Sequence, residues 1–162
     1  MTLELYRIDD RLIHGQVVVG WGQPLELKFI VLVDDLVAAS DWEQELYRMG
    51  VPPEMDVYFH DVEAAAARIA QYRSDPRHGL LLAGDIGTMR RLADGARVDA
   101  VNIGGIHSGT GRVQKLRYVF LSPDEERQLR DLAAQGAKVT AQDVPGARPV
   151  ALDDLLAGAE LT

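Results

Sequence analysis

The chain has 162 residues, long enough to bury a substantial core and short enough that one domain, 1–162, is expected. Apolar residues make up 47% and charged residues 26%, a globular balance that excludes a disordered chain. The net charge of −8 opposes a nucleic-acid partner, and the absence of cysteine removes disulfides, thiolate metal ligands and cysteine nucleophiles together. No apolar run reaches the length of a membrane span and nothing at the N-terminus reads as a signal peptide, so a cytoplasmic location is expected.

Leu3 to Ile8 alternates and stops at the polar Asp9-Asp10-Arg11, as a strand does on entering a functional loop. His14 to Trp21 reads as a helix, despite three successive valines. Phe29 to Val33 is a continuous β-branched and apolar run closed by Asp34-Asp35, the pattern of a buried parallel strand. Helical spacing over Trp42 to Met49 ends at Gly50, and Pro52-Pro53 forbids continuation. A strand at Met55 to Phe59 precedes a helix over Val62 to Tyr72 with Asp61 as its N-cap. Leu80 to Ala83 is a further buried strand, Thr88 to Ala93 a helix, and Ala100 to Ile103 another strand.

Val113 to Phe120 turns strand-like without an intervening helix, which predicts one differently paired strand. Ser122-Pro123-Asp124-Glu125 is a capping box with proline at the first helical position, so a helix runs from there to about Ala134 and stops at Gly136. Lys138 to Val144 is the last predicted strand. Residues 148–162 read as a C-terminal tail or a short helix over Asp153 to Ala157. The alternation predicts an α/β fold, a three-layer sandwich with a mostly parallel central sheet and helices on both faces.

In such a sheet a ligand site lies beyond the carboxyl ends of the strands. That edge collects Asp9 to His14, Asp34-Asp35, His60-Asp61, Gly84-Asp85 and Gly104-Gly105-Ile106-His107, and so three of the four histidines. His78 falls in a polar loop outside it. No pair of histidines has the local spacing of a zinc motif, so neither a metal nor a cofactor is expected. The glycine-rich stretch Gly104 to Arg112 matches neither the dinucleotide fingerprint nor the P-loop; a phosphate cradle and an exposed turn both fit it. A Gly-x-Ser-x-Gly nucleophile elbow does not occur, which argues against a serine hydrolase.

The densest chemistry lies in Arg7-Ile8-Asp9-Asp10-Arg11-Leu12-Ile13-His14-Gly15-Gln16. A turn from Arg11 to His14 sets a fork of donors beside an imidazole nucleophile, an arrangement suited to phosphoryl oxygens. Asp10 is the expected partner that holds Arg11 or orients the ring, and Arg7, inside the strand, is read as structural. Amides following Gly15 and Gln16 would add partial positive charge. Asp34, Asp35, Gly104, Gly105, His107 and Ser108 are further candidates for a phosphate or partner loop.

The string "RIDDRLIHGQV" followed by Trp21, with "FIVLVDDLVA" and "VNIGGI" in order behind it, resembles the histidine-type enzyme IIB component of the mannose/fructose/sorbose family of the bacterial sugar phosphotransferase system. The resemblance spans about Leu3 to Val144. It implies a mostly parallel sheet flanked by helices. It also implies a phosphocarrier that accepts a phosphoryl group on Nδ1 of His14 from phosphorylated enzyme IIA, with Arg11 close to the phosphate. The group then passes to a sugar during uptake through the membrane components IIC and IID.

The same resemblance implies association with the inner face of the membrane through those components, and a homodimer is compatible with it. The regulatory alternative, a phosphohistidine module that signals to a protein partner without transport, uses the same residues. Two segments depart from the family's pattern by their glycine content, Ile106 to Arg112 and Gly84 to Gly87.

Overall fold

A computed structural model describes residues 3–158. Its centre is a seven-stranded sheet in the order β3-β2-β4-β1-β5-β8-β9, parallel throughout except for the last pair. The strands are β1 (Leu3–Ile8), β2 (Phe29–Val33), β3 (Asp56–His60), β4 (Gly79–Ala83), β5 (Ala100–Ile103), β8 (Lys138–Ala141) and β9 (Val150–Ala151). A separate antiparallel hairpin pairs β6 (Val113–Leu116) with β7 (Val119–Leu121). β2 and β4 are buried at every position, because both of their faces are covered and each residue must be apolar.

Alternation along these strands feeds two cores. Val31, Val33, Leu81 and Ala83 join a layer with α3 (Val62–Ser74), α4 (Ile86–Gly95), α5 (Pro123–Ala134), α6 (Leu152–Ala157) and the hairpin. Ile30, Leu32, Leu80 and Leu82 face the opposite layer, which holds α1 (Asp35–Ala38), α2 (Asp41–Met49) and the segment after β1. The three-layer architecture read from the sequence is therefore the observed one.

The differences have local causes. His14 to Trp21 is not an ordinary helix: Gln16–Trp21 winds as a π-helix, with Gly22 N–H donating to Val17 O five residues back at 3.0 Å. Three consecutive β-branched valines crowd the tighter α turn, and the wide turn turns Val17, Val18 and Trp21 inward. The expected strand over Val113 to Phe120 is a hairpin of two short strands. The last parallel strand ends at Ala141; Gln142 still donates its N–H to Ile103 O, and the carbonyls of Gln142 and Asp143 turn to Arg7.

The predicted tail is structured as far as it is described. Val150–Ala151 adds an antiparallel edge strand and Leu155 of α6 is fully buried, while residues 159–162 of that tail lie outside the described residues.

Helix starts follow the sequence signals. Asp61, Asp85 and Ser122 each accept a backbone N–H three residues on, and Glu125 returns a bond to the Ser122 N–H at 2.9 Å. Ser122→Ala removes one half of that reciprocal box and is expected to cost about 1 kcal/mol in urea unfolding, with an unchanged slope against denaturant.

Candidate functional site

The site forms where β1 ends. Asp9 continues the ladder by one residue, its N–H donating to Ala83 O at 2.9 Å, so period-two alternation sets its carboxylate on the same face as Arg7. Both side chains are completely buried. Arg7 donates to Gln142 O at 2.9 Å, Asp143 O at 3.2 Å, the Asn102 side chain and Asp9 Oδ2 at 3.3 Å, and its guanidinium lies 4.8 Å from the centre of the Trp21 ring. Burial lowers the Arg7 pKa, and the Asp9 charge and hydrogen bond oppose that shift.

Asp9 is gripped from the other side by Arg11. Arg11 Nε donates to Oδ1 at 3.0 Å, Nη2 to Oδ2 at 2.9 Å, and its backbone N–H to Oδ1 at 3.1 Å. Burial alone would raise the Asp9 pKa; the hydrogen bonds from Arg11 and the charges of Arg7 and Arg11 prevail and hold it below the ordinary carboxylate value.

The chain then turns, with Leu12 N–H donating to Asp9 O at 3.0 Å and Leu12 itself at φ 57°. A left-handed leucine costs on the order of 1 kcal/mol, and it is held here by packing. A Cβ at Gly84 would lie 2.9 Å from Leu12 Cδ2, so the glycine at the end of β4 makes room for the turn.

His14 follows, with 19% of its side chain exposed. The Gln16 N–H donates to Nδ1 at 3.2 Å, which fixes Nδ1 as the unprotonated nitrogen; the ring proton is on Nε2, 3.5 Å from Asp9 Oδ2. That contact is long for a hydrogen bond and acts as an electrostatic one. Burial lowers the His14 pKa, the Asp9 charge opposes it, and the nearby Arg11 charge reinforces it, leaving the value below 6.5. The ring is thus neutral at pH 7, with its lone pair on Nδ1.

The carboxylate that meets His14 and Arg11 is Asp9, not Asp10. Asp10 turns outward to the loop after β5, where its oxygens take the His107 backbone N–H and the His107 Nδ1, each at 2.7 Å. The signal that finds Asp9 is its two-residue spacing from Arg7, which puts the pair on one face once Asp9 is counted within the strand.

Gly104 belongs to the site through the space it leaves. A Cβ there would lie 2.1 Å from Arg7 Nη2 and 2.8 Å from Asp9 Oδ2. Gly105 accepts the Asp10 N–H at 2.9 Å, and Gly104 to Ile106 are buried, so the glycine-rich stretch is an exposed turn only from His107 onward. Ser108 is exposed in that turn, and Arg112 pins it by donating to His107 O and, through two nitrogens, to Glu125. Gly15 is exposed just ahead of the π-helix.

Asp34 and Asp35 are not brought to His14. Asp34 caps α1 through the N–H groups of Leu36 and Val37, and Asp35 accepts from Val62 N and Arg91. Their strand is two places from β1, about 10 Å away. His60 is three places away and bonds the Tyr72 hydroxyl at 2.6 Å. His78 pairs with Glu4 at the opposite edge. Among the described residues no group of three or more His, Asp or Glu side chains is placed to hold a metal ion.

Comparison with known proteins gives a consistent answer. Residues 3–162 match the family described as the PTS system sorbose subfamily IIB component. The chain is 33% identical over 147 residues to the N-acetylgalactosamine-specific phosphotransferase enzyme IIB component 1 of Escherichia coli, covering 88% of this chain and 90% of that one. It is 27% identical over 161 residues to the mannose-specific EIIAB component of the same species, matching 96% of this chain and spanning 49% of the longer protein. The crystal structure of the IIB domain of the sorbose permease from Klebsiella pneumoniae superposes with a TM-score of 0.86 at 28% identity, covering 100% of both chains.

Two outcomes follow from the geometry. In NMR titration the His14 ring should show a midpoint below 6.5, staying neutral from there upward and gaining its proton only in more acid solution. Gly104→Ala should lower stability by about 1–3 kcal/mol in denaturant unfolding, because the added methyl forces Arg7 off Asp9.

Proposed function

The chain belongs to the sorbose-subfamily IIB components of the phosphotransferase system, which are phosphotransferases, and from that membership we propose that His14 is the residue phosphorylated. Nδ1 accepts the group from phosphorylated enzyme IIA and delivers it to a sugar entering through the membrane components IIC and IID. The observation that carries this reading is the polarity of the His14 ring: lone pair on Nδ1, proton on Nε2 facing Asp9.

Attack by a neutral Nδ1 makes the ring positive, because Nε2 keeps its proton while Nδ1 gains phosphorus. Asp9, ionised and already in place, balances that charge without reorganisation. Arg11 is the phosphate clamp: two of its nitrogens are fixed on Asp9, and Nη1 faces the other way. With little covalent work for the protein to do, positioning and charge supply the catalysis.

Arg11 is 35% exposed and His14 sits at the sheet edge, which suits an acceptor that must be reached by another protein's phosphohistidine. The E. coli relative whose name joins A and B in one polypeptide supports IIA as the donor. No helix among the described residues is long and apolar enough to cross a membrane, so delivery to a transported sugar requires docking on components that do.

Incubation with phosphorylated IIA should label the chain with an acid-labile, alkali-stable phosphate, and His14→Ala should abolish it. Arg11→Lys keeps the charge but not the fork that Asp9 holds, and should slow transfer about 10–100-fold. Label that persists in His14→Ala overturns the assignment.

A further inference from the structure

Gln16 is held on three sides. Its backbone N–H donates to His14 Nδ1 at 3.2 Å, its Oε1 accepts from Arg11 Nη1 at 3.1 Å, and its Nε2 donates to both the carbonyl oxygen and Oδ1 of Asp143, each at 3.4 Å. The neighbours fix the orientation of the carboxamide, since a guanidinium only donates and the two Asp143 oxygens only accept.

The two groups that Gln16 satisfies are the two that a phosphoryl group on His14 would engage. Arg11 Nε and one N–H of Nη2 are committed to Asp9, and Gln16 Oε1 takes an N–H of Nη1, the terminal nitrogen that makes no bond to Asp9. The Nδ1 lone pair points at the Gln16 N–H. An amide oxygen is a neutral partner for a guanidinium, and a phosphoryl oxygen is a charged and stronger one.

We propose that Gln16 is a placeholder for the phosphoryl group: while the site is empty its side-chain oxygen occupies Arg11 and its backbone N–H occupies the His14 lone pair, and at transfer Arg11 and that N–H both turn to phosphoryl oxygens. The inference rests on phosphorylation of His14 at Nδ1. In that step the Nδ1 lone pair forms the bond to phosphorus while the donor's P–N bond breaks. The electron pair of the broken bond stays on the donor nitrogen, and the proton on His14 Nε2 remains facing Asp9.

The Gln16 N–H loses its acceptor as the lone pair becomes the N–P bond, and donates to a phosphoryl oxygen instead. Arg11 Nη1 leaves Gln16 Oε1 for a second phosphoryl oxygen. The carboxamide keeps only its hold on Asp143. Gln16 is therefore a positioning residue whose side chain favours the unphosphorylated site, the reverse of what a phosphate-binding side chain does.

The sign of one substitution separates the two. Using phosphoramidate as a small phosphoryl donor, with His14 phosphorylation read as the phosphorus NMR signal that His14→Ala lacks, Gln16→Ala should take up phosphate about 3–10-fold faster than the unaltered chain. Gln16→Glu puts a carboxylate on Arg11 Nη1 and against the incoming group, and should be at least about tenfold slower. Uptake by Gln16→Ala equal to or slower than that of the unaltered chain overturns the placeholder.

In the unaltered chain the carbon-13 signal of the Gln16 side-chain carbonyl should also shift on phosphorylation, as its guanidinium partner departs. An unmoved signal overturns the proposal without any variant having to fold. Absence of a His14-dependent phosphorus signal in the unaltered chain would instead bring down the phosphorylation reading itself.

Discussion

Everything at this sheet edge depends on one buried carboxylate. Asp9 is inaccessible to solvent and is met by two guanidinium groups and an imidazole. A lone ion in that position would cost several kcal/mol, and so would Arg7 without Asp9. Neither residue is tolerable alone, and together they require further acceptors: Asn102 from β5 and the carbonyls of Gln142 and Asp143 after β8. Three neighbouring parallel strands, β1, β5 and β8, thus end in one hydrogen-bonded cluster, and the glycine at 104 is the condition for their approach. The order of strands is as much a part of the chemistry as the residues are.

The cluster also divides the labour between two arginines of the same motif. Arg7 is sealed under Trp21, and its two terminal nitrogens donate only inside the protein, where they anchor Asp9. Arg11 presents its fork to the same carboxylate but keeps part of its surface in water. A guanidinium held on two nitrogens has already lost most of its freedom, so little ordering would remain to oppose the phosphoryl group proposed for it. The −8 charge of the whole chain makes that local concentration of donors the feature an anionic group would meet.

Much of this was legible in the chain. The apolar runs at Phe29 to Val33 and Leu80 to Ala83 could only be doubly covered strands, and the capping box at Ser122 is where the pattern put it. The motif around His14 is where Arg7, Asp9, Arg11 and His14 come together. What stayed hidden depended on contacts between residues far apart in sequence. Asp9 and Asp10 are adjacent carboxylates after the same strand end, and only the buried Arg7 and the loop after β5, which claim one each, tell them apart. Asp34 and Asp35 look like site residues because they follow a strand, yet they serve helix starts and a salt bridge to α4. The role of Gly104 lies in the absence of an atom, which no local pattern reveals.

The placement of the ring itself comes from backbone that ordinary propensities disfavour. Leu12 enters the left-handed region, and two residues later His14 gives its carbonyl to Val18 as the chain starts to wind into the π-helix. Val17, Val18 and Trp21 of that segment are buried in the same core as residues of β2 and β4, and Trp21 also covers Arg7. The apolar burial that stabilises the wide helix is thus tied to the burial of the ion pair, and the histidine is held between them. At the entry to that winding the Gln16 amide lies over the imidazole and its side chain over the guanidinium, so this edge of an otherwise ordinary α/β sheet holds a ring with a defined unprotonated nitrogen.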